Sequence, residues 1–470
     1  ERIASRVLIS KNILSLLKYK KSLFVFRRDY RLDDNTSLIQ ACENSEQVIP
    51  CFLFEKNLIS KNNPVFGKMR IRFMIDSLKD LFEQAKEKNC EILIKNDSVS
   101  SLITSSVKQD EINAIFMNRD NSPYGRFRDN QFKSASEKNN IAFESYGDLL
   151  LRDAGSVLKQ NDTPFLVFTP FYRAASQFKV RTPQVFNHKN LITSNQNSDD
   201  TISRLEKIIP KTTVIEGGRK NGLKILENFD KIADYNVQRN IPSKPTSQLS
   251  THNRFGTVSI REVHKAASKF FGNDHSFISE LYWRDFFSHL MFHFPYSQKK
   301  EFQEKYQGLK WSHDKKKFEK WVNGLTGFPI VDAGMRELKQ TGFMHNRCRM
   351  IVASFLTKDL QCDWRLGERH FAKYLIDYDP CVNAGSWQWS ASTGCDAQPY
   401  FRVFNPWLQQ KKFDPECVYI KKWIPELVNL TTKQIHDIET TPLDSSIDYP
   451  RPMVIHKEES ARSKLMFKVV

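Results

Sequence analysis

The sequence predicts an N-terminal α/β domain, a Rossmann-like doubly wound parallel sheet, followed by an all-α C-terminal domain. Short apolar runs alternate with amphipathic helical stretches up to about residue 150, and from Gly222 onward the periodicity is helical almost throughout. Strands that alternate with helices form parallel βαβ units. The 470 residues also exceed the length at which one hydrophobic core keeps growing. We therefore expect two domains.

The predicted strands of the first domain are residues 23–26, 48–54, 91–94 and 114–117. The region that follows lacks a clean period and contains the polar run SNQNSDDTIS, which indicates an exposed connector. The expected parts are a basic N-terminal extension at 1–20, the α/β domain at 21–150, the connector at 151–220 and the helical domain at 221–470. All eight tryptophans lie in the last part, the first being Trp283. We therefore expect the chemistry there.

The net charge indicates the class of binding partner, and the distribution of cysteines indicates the redox compartment. The net charge of +17 indicates an anionic partner, most simply nucleic acid. A solvated basic surface without a partner is the alternative. The eight cysteines are scattered, without a CxxC pair or a His/Cys cluster at ligand spacing. This pattern indicates reduced intracellular thiols and predicts no metal site.

No apolar run approaches the roughly 20 residues needed to cross a bilayer. We therefore expect an intracellular soluble protein with no membrane partner, in the nucleus, the cytoplasm or the nucleoid. Residues 1–20 carry arginines, lysines and serines among Ile, Val and Leu, with Glu1 as their only acid. That composition is typical of an organelle transit segment and equally of a plain basic helix.

Common nucleotide-binding and hydrolytic motifs are missing. The sequence has no GxGxxG, GxxxxGK[ST], HExxH or GxSxG pattern. Ordinary dinucleotide, nucleoside triphosphate, zincin and hydrolase functions therefore lose support.

The stretch from Phe343 to Pro406 combines tryptophans, paired aspartates, amides and arginines, a mixture that helical packing does not need. Such groups could clamp a heterocycle that offers both donors and acceptors. A structural salt bridge between Arg349 and a carboxylate is the alternative. In the WQW triplet, Trp387 and Trp389 would lie about 200° apart on a helix. One could then join a buried chain of aromatics while the other lines a cavity, although plain packing is also common.

Two earlier segments also carry candidate groups. Thr246, Ser247 and Ser250 precede a predicted helix, where hydroxyls and free N–H groups suit a phosphate or simply form an N-cap. Glu280 and Arg284 are four residues apart, with aromatic neighbours. The carboxylate could hydrogen-bond a base edge, but a solvated intrahelical pair is the more common arrangement.

Taken together, these segments resemble the photolyase and cryptochrome family. FVFRRDYRLDDN is similar to the family's first strand and the loop after it. Seven further blocks match in order: TSQLS, ELYWRDFF, TGFPIVDAGMREL, MHNRCRM, DWRLGERHF, IDYDPCVNAGSWQW and YFRVFNP. The resemblance covers about residues 21–465. It implies that the helical domain holds FAD, reduced to FADH−, in a pocket open to DNA.

The resemblance also implies roles for individual residues. The catalytic residues would be Glu280 and Asn383, the latter facing flavin N5. The cofactor-binding residues would be Tyr235, Thr246, Ser247, Gln248, Leu249, Ser250, Phe277, Glu280, Arg284, Asn346, Arg349, Asp377, Asp379 and Asn383. Electron transfer to the flavin would use Trp311, Trp364 and Trp387. Contacts to DNA and the lesion would come from Glu280, Trp283, Asn346, Arg347, Met350, Trp389 and Arg402.

The family mechanism implied for this chain is light-dependent repair of cyclobutane pyrimidine dimers (CPDs). The damaged dinucleotide would flip out of the duplex. Excited FADH− would donate an electron, and Glu280 would stabilise the dimer radical anion until the cyclobutane ring splits and the electron returns. Phe277 stands where the family often has a tryptophan near the flavin, a change expected to alter packing more than chemistry.

The subclass follows from a few positions. The (6-4) photolyases usually have a pair of histidines where this chain has His345 and Asn346, and a further histidine at the Met350 position. DASH cryptochromes usually have Gln at the Met350 position and Tyr at the Trp389 position. Because it has neither set, the chain most resembles class I CPD photolyases. The alternatives are a cryptochrome photoreceptor, a (6-4) photolyase and a DNA-binding protein that has lost catalysis.

A second, antenna chromophore is also implied, either a folate or a deazaflavin. The stretch that resembles the family's antenna region contains Asn118, Arg119, Asp120 and Tyr124. The expected macromolecular partner is DNA that contains CPDs, and we expect a monomer.

Overall fold

The computed structural model describes residues 17–442 and 447–468, so most of the predicted N-terminal extension, residues 1–16, lies outside the described residues. The N-terminal part contains a five-stranded parallel sheet in the order β3-β2-β1-β4-β5. Its strands are β1 (Tyr19–Phe26), β2 (Ser45–Leu53), β3 (Leu93–Lys95), β4 (Ala114–Asn118) and β5 (Ala142–Tyr146). The first four confirm the predicted strands. The sequence does not predict β5, because all its side chains are half-buried and show no clear alternation.

Helices cover both faces of this sheet. They are α1 (Thr36–Asn44), α2 (Lys56–Ile59), α3 (Lys68–Lys86), α4 (Val99–Asp110) and α5 (Pro123–Lys138). Successive β1 side chains point to opposite faces. Phe24 and Phe26 therefore join the core under α1 and α3, whereas Leu23 and Val25 join the core under α4 and α5. Burial on both faces explains the nearly continuous apolar character of the strand.

The region between the two parts packs partly against the sheet and partly against the helical part, where Phe171 joins the core that contains Phe286. It contains α6 (Phe168–Ala175) and α7 (Thr201–Glu206), and Leu191 forms a parallel bridge with Val48 of β2. The polar run is only partly exposed, because Gln196 is buried and its Nε2 donates to Asp110 at 2.6 Å.

Within the described residues, the named elements of the C-terminal part are all helices. Its helices are α8 (Arg219–Glu227), α9 (Tyr235–Gln238), α10 (Leu249–Phe255), α11 (Ile260–Phe271), α12 (Ser276–His293), α13 (Lys315–Asn323), α14 (Pro329–Thr341), α15 (Asn346–Ser354), α16 (Trp364–Tyr374), α17 (Pro380–Ala391), α18 (Pro406–Phe413), α19 (Val418–Trp423), α20 (Thr432–His436) and α21 (His456–Lys468). A π-helical turn, Phe355–Asp359, follows α15. Trp321, Trp364 and Trp387 are among the largest fully buried side chains of the core. Within the described residues, no helix is both long and apolar enough to span a membrane.

The sheet meets the helical part at the point where its strand order reverses. Ligands of doubly wound sheets bind in the crevice outside the carboxyl ends of such strands. Here β1 and β4 are neighbours, and Arg28 and Asp120 follow their carboxyl ends. Arg28 pairs with Asp120 at 3.4 Å and also with Asp379 of the helical part. The switch point is thus joined to the region that carries the candidate site.

Candidate active site

Helix α12 presents Glu280, Trp283 and Arg284, but Glu280 and Arg284 do not pair with each other. Glu280 accepts a hydrogen bond from Nη1 of Arg239 at 2.9 Å. Arg284 instead donates to two backbone oxygens, those of Leu149 at 2.5 Å and Asn253 at 3.2 Å. The simple intrahelical pair is therefore absent, and α12 links the sheet part to α10.

The environment of Glu280 suits a group that contacts a ligand. Its side chain is 38% exposed. Burial of the inner part of the side chain raises the pKa of Glu280, and the positive charge of Arg239 opposes that rise. Nearby, Trp283 stacks on Phe168 with ring centroids 3.8 Å apart. The carboxylate thus remains accessible beside a rigid aromatic surface.

The start of α10 carries the predicted phosphate-binding stretch. Gln248, at the N-cap position, has a φ of 54°, a left-handed conformation that non-glycine residues seldom adopt. The hydroxyl of Ser247 accepts from the N–H of Leu249 at 3.4 Å. Thr246 and Ser247 are half-buried and Ser250 is exposed. Hydroxyl groups and the backbone N–H groups of the helix start therefore lie together, as a phosphate site requires.

Tyr235 and Phe277 form an aromatic pair near this stretch. Their ring centroids are 5.2 Å apart in an edge-on arrangement. Burial raises the pKa of the Tyr235 phenol to about 12, so it remains a hydrogen-bond donor at neutral pH.

Helix α15 orders the residues of the HNRCRM block. Arg349 binds Asp377 through both terminal nitrogens, at 3.2 and 2.9 Å. Arg347 donates to Asn240 at 2.6 Å and lies over the ring of Phe413. One turn apart on this helix, Nδ2 of Asn346 lies 3.9 Å from the sulfur of Met350. The salt bridge proposed as the simpler role of Arg349 is therefore present.

Asp379 holds the start of α17. Its Oδ1 accepts from the N–H groups of Cys381 at 2.9 Å and Val382 at 3.3 Å. Burial by itself raises the pKa of Asp379, but the charges of Arg28, Arg254 and Arg284 outweigh that effect and lower it to about 2. Asp379 is therefore a fixed negative charge at the junction of the two parts.

Asn383 lies on the same helix and is also buried. Its Nδ2 donates to Oε1 of Glu368 at 2.9 Å and to the Glu368 backbone oxygen at 3.2 Å. Its Oδ1 makes no hydrogen bond to any described residue. One end of the amide is thus fixed and the other is a free acceptor.

The WQW triplet confirms the prediction of opposite faces. Both tryptophans lie on α17, with Trp387 in the core and Trp389 half-buried. Trp387 packs so closely on α16 that a Cβ on Gly367 would lie 2.1 Å from its ring. Trp364, which begins α16, and Trp311 both donate their indole N–H to Glu301. The three predicted electron-transfer tryptophans therefore belong to one packed region.

Other predicted residues lie apart from these contacts. Arg402 is exposed, and its backbone N–H donates to Pro399 at 2.9 Å. In the stretch that resembles the antenna region, Asn118 and Asp120 are buried and bonded to protein groups. Arg119 is exposed, and Tyr124 donates to Glu55 at 2.5 Å.

Several partners at the site are missed by sequence reasoning: Arg28, Arg239, Glu301 and Glu368. Arg28 precedes its partner Asp379 by 351 residues, and Arg239 precedes Glu280 by 41. No local spacing could reveal these pairs. Only the charge of each residue was available as a signal.

Comparison with known proteins shows which protein family has this arrangement. A family model described as the FAD binding domain of DNA photolyase matches residues 277–469, and one described as DNA photolyase matches residues 22–187. A curated protein from Alkalihalophilus pseudofirmus, named deoxyribodipyrimidine photo-lyase, is 36% identical over 94% of this chain and 97% of its own length. The chain belongs to the DNA photolyase family. Residues 277–469 of its helical part therefore match the FAD-binding domain of photolyases.

Solved photolyase structures share the whole fold. An archaeal photolyase from Sulfolobus tokodaii, solved with two FAD molecules, has a TM-score of 0.86 at 36% identity and covers 96% of this chain and 100% of its own. A class III photolyase from Agrobacterium tumefaciens has a TM-score of 0.88 at 32% identity, with 96% and 98% covered. The α/β sheet with an all-α domain is therefore the photolyase architecture. Assignment of this chain to class I stays a prediction.

The donor set of this photolyase fits FAD. The hydroxyls and N–H groups at the start of α10 suit the phosphates. The free Oδ1 of Asn383 matches the N5–H donor of a reduced flavin. Arg349 and Asp377 supply a charged pair with further donor and acceptor capacity.

Proposed function

We propose that this protein splits cyclobutane pyrimidine dimers in DNA, using blue or near-ultraviolet light, and is thus a deoxyribodipyrimidine photo-lyase. The observation that carries the proposal is the likeness, over nearly the full length of both chains, to a protein of that name. The accessible Glu280 carboxylate beside Trp283 supports it. The net charge of +17 suits a polyanionic substrate.

The roles of the lesion-binding residues follow from their surroundings. Arg347 and Arg402 would bind DNA phosphates by charge. Trp283 and Trp389 would offer flat apolar faces to the flipped dinucleotide, whose extrusion costs less where the lesion already disturbs stacking. Met350, beside Asn346, would pack against the dimer with its adaptable side chain. Glu280 would donate a hydrogen bond to the base edge when it is protonated and accept one when it is ionised.

The cofactor would be held by residues of the helical part. Residues 246–250 would bind the phosphates and the ribityl chain, while Arg349, Asp377, Asp379 and Asn383 would surround the flavin. Bound as its reduced anion, FAD supplies the light-driven electron. Trp387, Trp364 and Trp311 would provide electrons that return oxidised cofactor to that form. A second chromophore would occupy the N-terminal domain, and the two FAD molecules of the archaeal relative add FAD to the candidates, folate and deazaflavin.

We further propose the domain limits 1–20, 21–150, 151–220 and 221–470, and a monomer in solution. Size-exclusion chromatography with light scattering tests the monomer. A mass twice that of one chain would contradict it.

Repair is tested by mixing reduced protein with an oligonucleotide that contains one thymine dimer. Under blue light, the ultraviolet absorbance of thymine is expected to recover. If the oligonucleotide binds tightly in the dark and no absorbance returns in light, the proposal fails. Photoreduction of FAD without repair would favour a cryptochrome, and repair of a (6-4) lesion alone would favour a (6-4) photolyase.

Substitutions of Glu280 can separate its role in repair from its ion pair with Arg239. Glu280→Ala should lower the repair yield while FAD stays bound. Because the change also frees Arg239 from its ion pair, dark binding to undamaged DNA should be equal or tighter. Glu280→Gln keeps a hydrogen-bonding side chain and should fall between the parent and the alanine variant. Repair by Glu280→Ala at the parental yield would refute this role.

A further inference from the structure

One buried carboxylate lies between two of the tryptophans proposed to carry electrons. The indole N–H of Trp311 donates to Oε1 of Glu301 at 3.2 Å, and that of Trp364 donates to the same oxygen at 3.3 Å. The other oxygen, Oε2, accepts from Arg365 at 2.5 Å. Glu301 is 3% exposed. A single buried charge is therefore shared by both indoles.

The position of Glu301 is fixed by contacts from several segments. Its backbone oxygen accepts from Nε2 of Gln307 at 3.1 Å. Arg365 is held in turn by both oxygens of Asp363 and by the backbone oxygen of Lys299 at 2.7 Å. A buried carboxylate is costly unless it is paired and hydrogen-bonded. The two indoles and Arg365 together meet that condition for Glu301.

The charges around the two tryptophans are unequal. Removal of an electron from an indole creates a positive charge, which the Glu301 carboxylate attracts at either ring. The guanidinium of Arg365 lies over the Trp364 ring, 5.0 Å from its centroid, and repels a positive charge there. Within the described residues, no Lys or Arg side chain lies over the ring of Trp311. The positive charge is therefore more stable on Trp311, farther along the proposed chain from Trp387.

The Trp311 indole has little direct access to water. Only 8% of the residue is exposed, and Phe467 of α21 lies edge-on to its ring at a centroid distance of 6.2 Å. An oxidised indole is a much stronger acid at its N–H than the neutral ring. The base already bonded to that N–H is Glu301.

We propose that Glu301 is the proton acceptor for oxidised Trp311 and thereby slows the return of the electron to that tryptophan during photoreduction, an inference that rests on the proposed function. The oxidant is light-excited oxidised flavin, which takes one electron that is replaced along Trp387, Trp364 and Trp311. The Nε1–H bond of Trp311 then breaks, and the proton binds Oε1 of Glu301. The products on this chain are a neutral tryptophanyl radical and a neutral carboxylic acid. A soluble thiol can later return the electron, and Glu301 the proton.

The unaltered protein with bound FAD provides the first test. Time-resolved infrared spectra after a light pulse should show a protonated carboxylic acid band that rises with the tryptophan radical and shifts when glutamate is 13C-labelled. If the radical forms and no labelled acid band appears, the proposal is overturned. This result would leave the repair assay untouched.

Matched variants provide the second test. Glu301→Gln removes the charge and keeps the side-chain shape, and it should shorten the lifetime of the oxidised tryptophan on the order of tenfold. Glu304→Gln makes the same chemical change at an exposed neighbour and should match the parent. In the dark, nitrogen-labelled tryptophan NMR should show that Glu301→Gln shifts two indole N–H signals and that Glu304→Gln shifts neither. Unchanged signals or an unchanged radical lifetime in Glu301→Gln would overturn the proposal.

Repair by chemically reduced protein keeps the two proposals distinguishable, because that assay does not use the electron-transfer tryptophans Trp311, Trp364 and Trp387. Absence of repair by the reduced parent would count against the proposed function. A normal parent with no effect of Glu301→Gln on radical decay would count against the proton-acceptor role alone.

Discussion

At the scale of single residues, the polar side chains around the proposed cofactor site are held by partners from other elements. Asn383 is held by Glu368 of α16, Arg349 by Asp377, and Trp364 by Glu301. Leaving one such buried group without a partner costs about 1–3 kcal/mol. These contacts therefore fix the orientation of groups that must meet a ligand, and they do so before the ligand arrives.

The Asn383 contact gives a prediction about charge. Asn383→Asp would place a carboxylate where Nδ2 now donates to Glu368, at 2.9 Å, so two acceptors would face each other. Burial already raises the pKa of Glu368, and a second carboxylate would raise it further. We expect a loss of about 1–3 kcal/mol in the free energy of unfolding, measured by urea denaturation with FAD bound.

A double-mutant cycle checks the cause of that loss. Glu368→Gln supplies an amide donor opposite the new carboxylate, so adding it to Asn383→Asp should recover most of the lost stability. If the two changes are simply additive, the contact does not govern the effect.

At the scale of elements, the start of α17 shows how local and distant groups combine. Asp379 followed by Pro380 is a typical N-cap and first helical residue, and the structure shows these positions. The local sequence Asp379–Pro380 therefore accounts for the position at which the helix begins. It does not reveal that Arg28, from the other end of the chain, pairs with the same carboxylate.

The ion pair between Arg28 and Asp379 predicts a loss of stability in acid. The pKa of Asp379 is lowered to about 2 in the folded protein, against about 3.9 when unfolded. Its stabilising effect is therefore present above about pH 4 and is lost as pH falls toward 2, and a shift of this size is worth about 2–3 kcal/mol.

Asp379→Asn keeps a capping side chain and removes the charge, so it should be less stable than the parent at pH 7 and approach it as the pH is lowered. Thermal unfolding across that range measures the difference. Asp314→Asn is the control, because Asp314 caps α13 on an exposed surface. A pH-independent gap between Asp379→Asn and the parent would contradict the assignment.

The limits of sequence reasoning are visible in particular elements. Apolar runs predict β1 to β4 because buried parallel strands are apolar on both faces. Strand β5 is not predicted from the sequence, because its side chains are half-buried. The opposite faces of Trp387 and Trp389 follow from helix geometry alone. The pairing of Glu280 with Arg239 instead of Arg284 depends on the tertiary approach of α12 to the segment after α9, which no helical spacing encodes.

At the scale of the whole molecule, a buried charge cluster joins the two parts. Arg261 of α11 binds Asp34 at 2.7 Å and Asp148 at 2.6 Å, and Arg31 binds Asp148 at 2.5 Å. Burial raises the pKa of Asp148, but Arg31 and Arg261 outweigh this and lower it well below the usual range. Both aspartates lie in the sheet part, and Arg261 lies in the helical part. Arg261 therefore forms its ion pairs with carboxylates of the sheet part, so its charge is compensated when the two parts are docked.

Arg261→Met tests whether this junction couples the unfolding of the two parts. The change leaves Asp34 and Asp148 buried with less positive charge, and breaking such a pair typically costs 3–5 kcal/mol. Since all eight tryptophans lie at or after Trp283, their fluorescence reports the helical part, whereas far-ultraviolet circular dichroism reports both. In urea, the parent should give coincident transitions, and Arg261→Met should give an earlier loss of ellipticity that separates from the fluorescence change.

Lys265→Met, on the exposed side of the same helix, should behave as the parent. Coincident transitions at the parental midpoint in Arg261→Met would show that the cluster does not hold the two parts together.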